Sequence, residues 1–194
     1  MADAFTNLAP RYMSDLIRDL DLTEEQAAGI VGNLAAESGL LAIQEKNPVS
    51  GRGGFGVAQW TGPRRVAFEN WAKAKKLAIT SYEANYGYLL HELQTSEKAS
   101  IQKLKLTTTA KAAAETFEAA FERAGVKNWP ARVKFAEKAL ALYRTVKPPV
   151  TPPIDPLAAL KADLAAYKEA TDKRLAELEA RIAAISAASA GALP

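Results

Sequence analysis

The sequence predicts a mostly α-helical domain with one small β-hairpin, followed by a proline-rich linker and a C-terminal amphipathic helix. Three observations predict it. Apolar residues recur at steps of three and four along most of residues 1–146. The strand signal is confined to the short apolar stretch 55–60, inside the glycine-rich segment NPVSGRGGFGVAQWTGP. Five prolines fall within the ten residues KPPVTPPIDP, 147–156, where neither a helix nor a central strand can form.

The first expected helix covers residues 9–20. The second covers 23–38. Thr23 followed by Gln26 is a capping-box pattern, Ala27, Ile30, Val31 and Leu34 form an apolar stripe, and Gly39 is a terminator. Helices resume at 63–76, with Pro63 in the first turn where its missing N–H costs nothing, and then at 81–95, 109–124 and 131–145. Beyond the linker, residues 157–186 place Leu157, Leu160, Leu164 and Tyr167, then Leu175, Leu178, Ile182 and Ile185, with one change of phase near Thr171. That stutter predicts coiled-coil self-association into a homo-oligomer, because a lone helix would leave its stripe in water. A membrane-surface helix is disfavoured by the mixed charge of the polar face. The expected organisation is a globular domain over 1–146, a linker over 147–156, a coiled-coil helix over 157–186 and a disordered tail over 187–194.

Composition narrows the chemistry. The chain has 194 residues, 48% of them hydrophobic, so a core can form without cross-links. It has no cysteine, which removes disulfides and thiolate catalysis, and its single histidine, His91, argues against a zinc site or a histidine triad. No cofactor or metal is expected. The opening MADAFTNLAPRYMSDL lacks the basic start and apolar run of a signal peptide, so synthesis in a cytoplasm is expected. No run reaches the ~18–20 apolar residues of a membrane span. Residues 1–154 carry 20 basic and 16 acidic groups, a balance that suits an anionic polymer such as peptidoglycan, teichoic acid or nucleic acid.

One residue breaks the helical pattern. Glu37 lies seven residues after Ile30 and three after Leu34, so it continues the apolar stripe of the second helix. Desolvation there and the negative end of the helix dipole both disfavour a carboxylate and favour a retained proton. A retained proton is what a general acid needs when it protonates a leaving-group oxygen. The bland alternative is a frayed last turn with Glu37 in water. Downstream, GRGGFGVAQW offers backbone that can pass close to a ligand. Gln59 and Trp60 supply an amide and an apolar face, a pairing suited to gripping a sugar ring.

ESG at a helix end, followed about twenty residues later by GVAQW and then TGPRR, resembles the phage tail lysozyme family. That family is related to the soluble lytic transglycosylases and goose-type lysozymes. The similarity continues through YEANYGYLLHEL and FEAAFERAG…ARVKFAEKALALY, covering roughly residues 8–145 and leaving out the linker and the last helix. The resemblance implies a lysozyme-like fold with Glu37 as catalytic acid and Ser38 orienting the carboxylate or a sugar group. It implies that Gly56 and Gln59 shape the cleft from a hairpin, and that Trp60, Arg64, Tyr86 and Tyr88 line subsites. The implied substrate is the β-1,4 bond between N-acetylmuramic acid and N-acetylglucosamine in peptidoglycan.

Most glycosidases use two carboxylates. No aspartate occurs between Asp21 and Asp155, so a second carboxylate within the domain must be a glutamate. Glu45 is the best placed. Glu118 and Glu122, at i, i+4, are alternatives that also read as a charged helix face. With one carboxylate, the same residue acts as acid and then base, as in lytic transglycosylases. The expected role is an endolysin that lyses the bacterial wall. The alternatives are a virion-borne transglycosylase or a coiled-coil assembly protein with an inactive domain. A nucleic-acid-binding module is disfavoured, since aromatics do not alternate with Lys and Arg on a strand platform.

Overall fold

The computed structural model describes residues 4–48, 51–122, 128–146, 168 and 171–178. The chain divides into two units, Met1–Val150 and Thr151–Pro194. The first is built from α1 (Ala4–Leu20), α2 (Glu24–Ser38), α3 (Gly62–Ala74), α4 (Tyr82–Gln94), α5 (Lys98–Leu104), α6 (Ala110–Phe117) and α7 (Trp129–Val146), with a π-helical turn at Glu118–Glu122. This is the mostly α fold that the periodicity predicts. In the second unit, residues 168 and 171–178 are helical and exposed, Leu175 and Leu178 included. The rest of the expected helix 157–186, the expected linker 147–156 and the expected tail 187–194 lie outside the described residues. Among the described residues no helix is long and apolar enough to cross a membrane.

α2 is the centre of the domain. Residues 26–35 are all buried, ten in succession, so the helix is enclosed on every side by α7, α6 and α1. Two glycines make the enclosure tight. A Cβ at Gly29 would lie 2.5 Å from Ala113 Cβ on α6, and one at Gly32 would lie 2.5 Å from the Arg132 carbonyl on α7. The expected capping box is present: Gln26 N donates to Thr23 Oγ1 at 3.3 Å, and Thr23 N donates to Gln26 Oε1 at 3.1 Å. Gln26 Nε2 also donates to the carbonyls of Lys105 and Thr107, so the same side chain fastens the loop after α5. Gly39 ends the helix in the left-handed region, φ 66°, with its N–H on the Ala35 carbonyl.

Three elements differ from expectation. α1 starts at Ala4 and passes through Pro10, because Phe5 is buried against Phe135 with ring centroids 5.5 Å apart. That packing offsets the helix bond that proline removes. α5 was not expected: its seven residues bury Ile101 and Leu104 as their only apolar side chains, too few for a periodic signal. The expected helix 109–124 stays α-helical to Phe117 and then widens into the π-turn. The hairpin is minimal. Phe55 and Trp60 exchange both backbone hydrogen bonds, at 3.0 and 2.9 Å, and Phe55 also bridges to Gln44.

Candidate active site

Glu37 stands in the last turn of α2, where the helix leaves the core. About a quarter of its side chain remains exposed (24%), which leaves the carboxyl reachable by a ligand. Its partner is Arg132, at the start of α7 and only 5% exposed, whose Nη2 donates to Glu37 Oε1 at 2.5 Å. Arg132 is itself aimed by Asn33, one helical turn before Glu37. Arg132 Nη1 donates to Asn33 Oδ1 at 3.0 Å, and Asn33 Nδ2 donates to the carbonyls of Gly29 and Ala114. The guanidinium is therefore fixed before any ligand arrives. The missing side chain at Gly32 is what lets α7 come close enough for this contact.

Ser38 connects the acid to the hairpin. Its hydroxyl lies 2.8 Å from the Val57 carbonyl and 3.2 Å from the Leu34 carbonyl. Val57 N in turn donates to Asn85 Oδ1 at 3.0 Å, and Asn85 Nδ2 donates to the Ile79 and Ser81 carbonyls. A chain of buried hydrogen bonds thus runs from the end of α2 through the hairpin to the start of α4.

A second carboxyl faces this group from the π-turn. Among the described residues, Glu122 Oε1 is buried with no hydrogen-bond partner. Burial, and then the nearby Glu37 carboxylate, push Glu122 up to about 8, against the pull of Arg132 and Arg64. Glu118, four residues earlier, is fully buried and accepts from Trp129 Nε1 at 2.9 Å. The charged helix face read for these two glutamates is therefore turned inward at Glu118, while half-buried Glu122 encloses one carboxyl oxygen. Ala114, Phe117, Glu118 and Phe121 form one buried row, and Glu118 is part of it.

The remaining sequence candidates hold the scaffold. Trp60 is completely buried, stacked on Phe68 at 4.6 Å and edge-on to Tyr88 at 5.1 Å, with Nε1 donating to Glu92 Oε2 at 2.6 Å. It presents no face to a sugar. Tyr86 is buried and its hydroxyl donates to Asp19 at 2.7 Å, while Tyr88 is buried with its hydroxyl 3.5 Å from the Arg64 carbonyl. Arg64 reaches Glu92 through Nε and Nη2, both at 2.9 Å, and lies over the Phe121 ring at 4.7 Å. Gly56 has φ 83°, and a Cβ there would strike the Trp60 ring at 2.7 Å. Gln59, also at positive φ (47°), donates from Nε2 to the carbonyls of Ile43 and Gly56 and so braces the hairpin.

Glu45 lies in the loop before the hairpin. Its Oε2 accepts from Gly54 N at 2.7 Å, and with Arg52, Thr61, Arg65 and Val66 it lines an open cavity of about 570 Å³. Glu37 is not among the residues lining that cavity. Among the described residues no cluster of His, Cys, Asp or Glu has the make-up of a metal site.

Sequence reasoning missed Arg132, Asn33 and Glu92. A signal for Arg132 exists: with Ala136, Ala139 and Tyr143 it forms the buried stripe of α7 at steps of four, three and four. It is the same anomaly as Glu37, a charge on an apolar stripe. The two anomalies meet.

A glutamate projecting from the end of a buried helix beside a glycine-rich hairpin is an arrangement suited to acid catalysis on a glycosidic bond. A model of the phage tail lysozyme family matches residues 9–143. No curated protein matches the chain closely enough to count as a relative. The family match spans α1 to α7 almost whole, takes in Glu37, the hairpin and Arg132, and points to lysozyme-like chemistry on peptidoglycan. By that match, this chain belongs to the phage tail lysozyme family.

Proposed function

We propose that the domain cleaves the β-1,4 bond between N-acetylmuramic acid and N-acetylglucosamine of peptidoglycan, with Glu37 as general acid, and serves as a phage endolysin in wall lysis. The observation that carries this reading is the Glu37 carboxyl itself, part-exposed at the end of an enclosed helix and aimed by a buried guanidinium. Glu37 protonates the glycosidic oxygen, the C–O bond breaks with oxocarbenium character, and the resulting carboxylate then takes a proton from the attacking hydroxyl. With water as attacker the reaction is hydrolysis. With the C6 hydroxyl of the muramic acid it is a transglycosylation that leaves an anhydro end.

Glu45 is assigned to the loop, since its carboxylate is engaged by Gly54 N–H. Ser38, Gly56 and Gln59 position the hairpin against the acid, Trp60 and Tyr88 pack beneath it, and Arg64 and Tyr86 hold the helices around it through Glu92 and Asp19. The test is mass spectrometry of peptidoglycan digested by wild type and by Glu37→Gln. Reducing N-acetylmuramic acid ends, lost in the variant, are the expected result. Full activity in Glu37→Gln overturns the assignment.

The family's description as a tail lysozyme favours a second setting, in which the protein is carried in the virion and opens the wall on entry. Peptide mass spectrometry of purified virions separates the two: an endolysin is missing from the particle, whereas a tail component is present in fixed copy number.

A further inference from the structure

Glu122 has no role in the mechanism above, yet its placement is costly. A buried carboxyl oxygen without a hydrogen bond destabilises a fold unless something else holds it there. Arg132 presents the complementary anomaly: Nη1 and Nη2 are engaged by Asn33 and Glu37, but among the described residues Nε is buried with no partner. Glu118 Oε1, four residues back, is likewise buried without a partner among the described residues, and the other charges that act on Glu122, Arg64 and Glu92, are matched to each other. Arg64 is spent on Glu92, through two hydrogen bonds, and Glu92 also receives Trp60 Nε1. Among the described residues, the two carboxyls Glu37 from α2 and Glu122 from the π-turn are thus left with one cation, Arg132 from α7. Such a group is electrically neutral when it carries a single proton.

We propose that Glu122 is the proton reservoir of the catalytic acid, with Arg132 moving to whichever of the two carboxyls is charged. In the resting arrangement Arg132 pairs with the Glu37 carboxylate and the proton sits on Glu122. In the working arrangement the proton has passed from Glu122 to Glu37, and the guanidinium turns its free Nε–H to the new Glu122 carboxylate. One O–H bond breaks as another forms, and the net charge of the three groups stays the same. The exchange gives a glutamate that is ion-paired at rest a way to act as an acid. Glu122 is accordingly a positioning residue, and its role rests on the reading of Glu37 as the acid.

The experiment uses the full chain. Carboxyl ¹³C titration of the wild type is expected to place Glu122 near 8. In Glu122→Gln, kcat is expected to fall about tenfold or more, with KM changed by less than about twofold. The alkaline limb of kcat/KM should move down by at least about one pH unit. A merely structural glutamine swap would not move that limb. With Glu37→Gln inactive, a Glu122 that titrates in the ordinary carboxylate range overturns the reservoir alone, and so does a Glu122→Gln enzyme with the wild-type profile. A fully active Glu37→Gln overturns the acid assignment and the reservoir together.

Discussion

Arg132 Nη2 and Glu37 Oε1 are 2.5 Å apart although 95 residues separate them in the chain. The contact joins the end of α2 to the start of α7, and its orientation is set by Asn33 rather than by either partner. Half-buried ion pairs of this kind add little net stability, but losing one partner strands the other. A double-mutant cycle with Glu37→Gln and Arg132→Met, read by urea unfolding, should give a coupling of about 2–4 kcal/mol. Arg132→Met alone should lower kcat by about tenfold or more, with little change in KM.

Trp60 separates a core role from a sugar platform. Trp60→Phe removes the Nε1–H bond to Glu92 and leaves a buried carboxylate oxygen short of a donor. A stability loss of about 2–3 kcal/mol is expected, with KM for peptidoglycan fragments unchanged. A raised KM at constant melting temperature would place Trp60 in the cleft instead.

Ser38 has one hydroxyl proton for two carbonyls, and the shorter contact, 2.8 Å, is to Val57. Ser38→Ala should cost about 1 kcal/mol in thermal unfolding. Because it unties the hairpin from the acid, kcat should fall by several-fold.

Gly32 makes the contact of α2 with α7 possible. In Gly32→Ala the new Cβ would meet the Arg132 carbonyl at 2.5 Å and Ala136 Cβ at 2.7 Å, and backbone cannot yield as a side chain does. Destabilisation of about 2 kcal/mol or more is expected by calorimetry. The accompanying loss of kcat should match that of Arg132→Met.

Stability should fall as pH rises. Glu122 ionises at about 8 in the folded protein and at the ordinary 4.5 when unfolded. Its contribution is complete below about 4.5 and is lost as pH climbs through about 8, because the unfolded chain releases the proton first. Over that window the loss amounts to about 5 kcal/mol. Asp19 works the other way. Burial opposes its charge, yet hydrogen bonds from Arg18 and Tyr86 hold it below the usual range, so its contribution is lost only in acid. Urea unfolding of wild type and Glu122→Gln should show the variant gaining on the wild type steadily from pH 5 to 8.

Local features were legible in the sequence. The capping box at Thr23 and Gln26, the stop at Gly39 and the proline at the start of α3 each depend on residues within a turn of one another. Glu37 was legible as a break in a period. What Glu37 meets was not, because Arg132 arrives only when α2 and α7 pack. Trp60 was misleading for the same reason: Phe68, Tyr88 and Glu92, which enclose it, lie 8, 28 and 32 residues further on. The sequence offers the indole, and tertiary packing decides which way it faces.

The enclosure of α2 also bears on how the protein fails. Since ten consecutive residues leading to Glu37 have no solvent face, the acid has no platform of its own that could outlast the core. Partial melting that frees α1, α6 or α7 also frees the carboxyl. Heat inactivation should therefore track loss of helical structure along a single curve, with no active intermediate, and a more thermally durable enzyme has to be sought in the packing around α2.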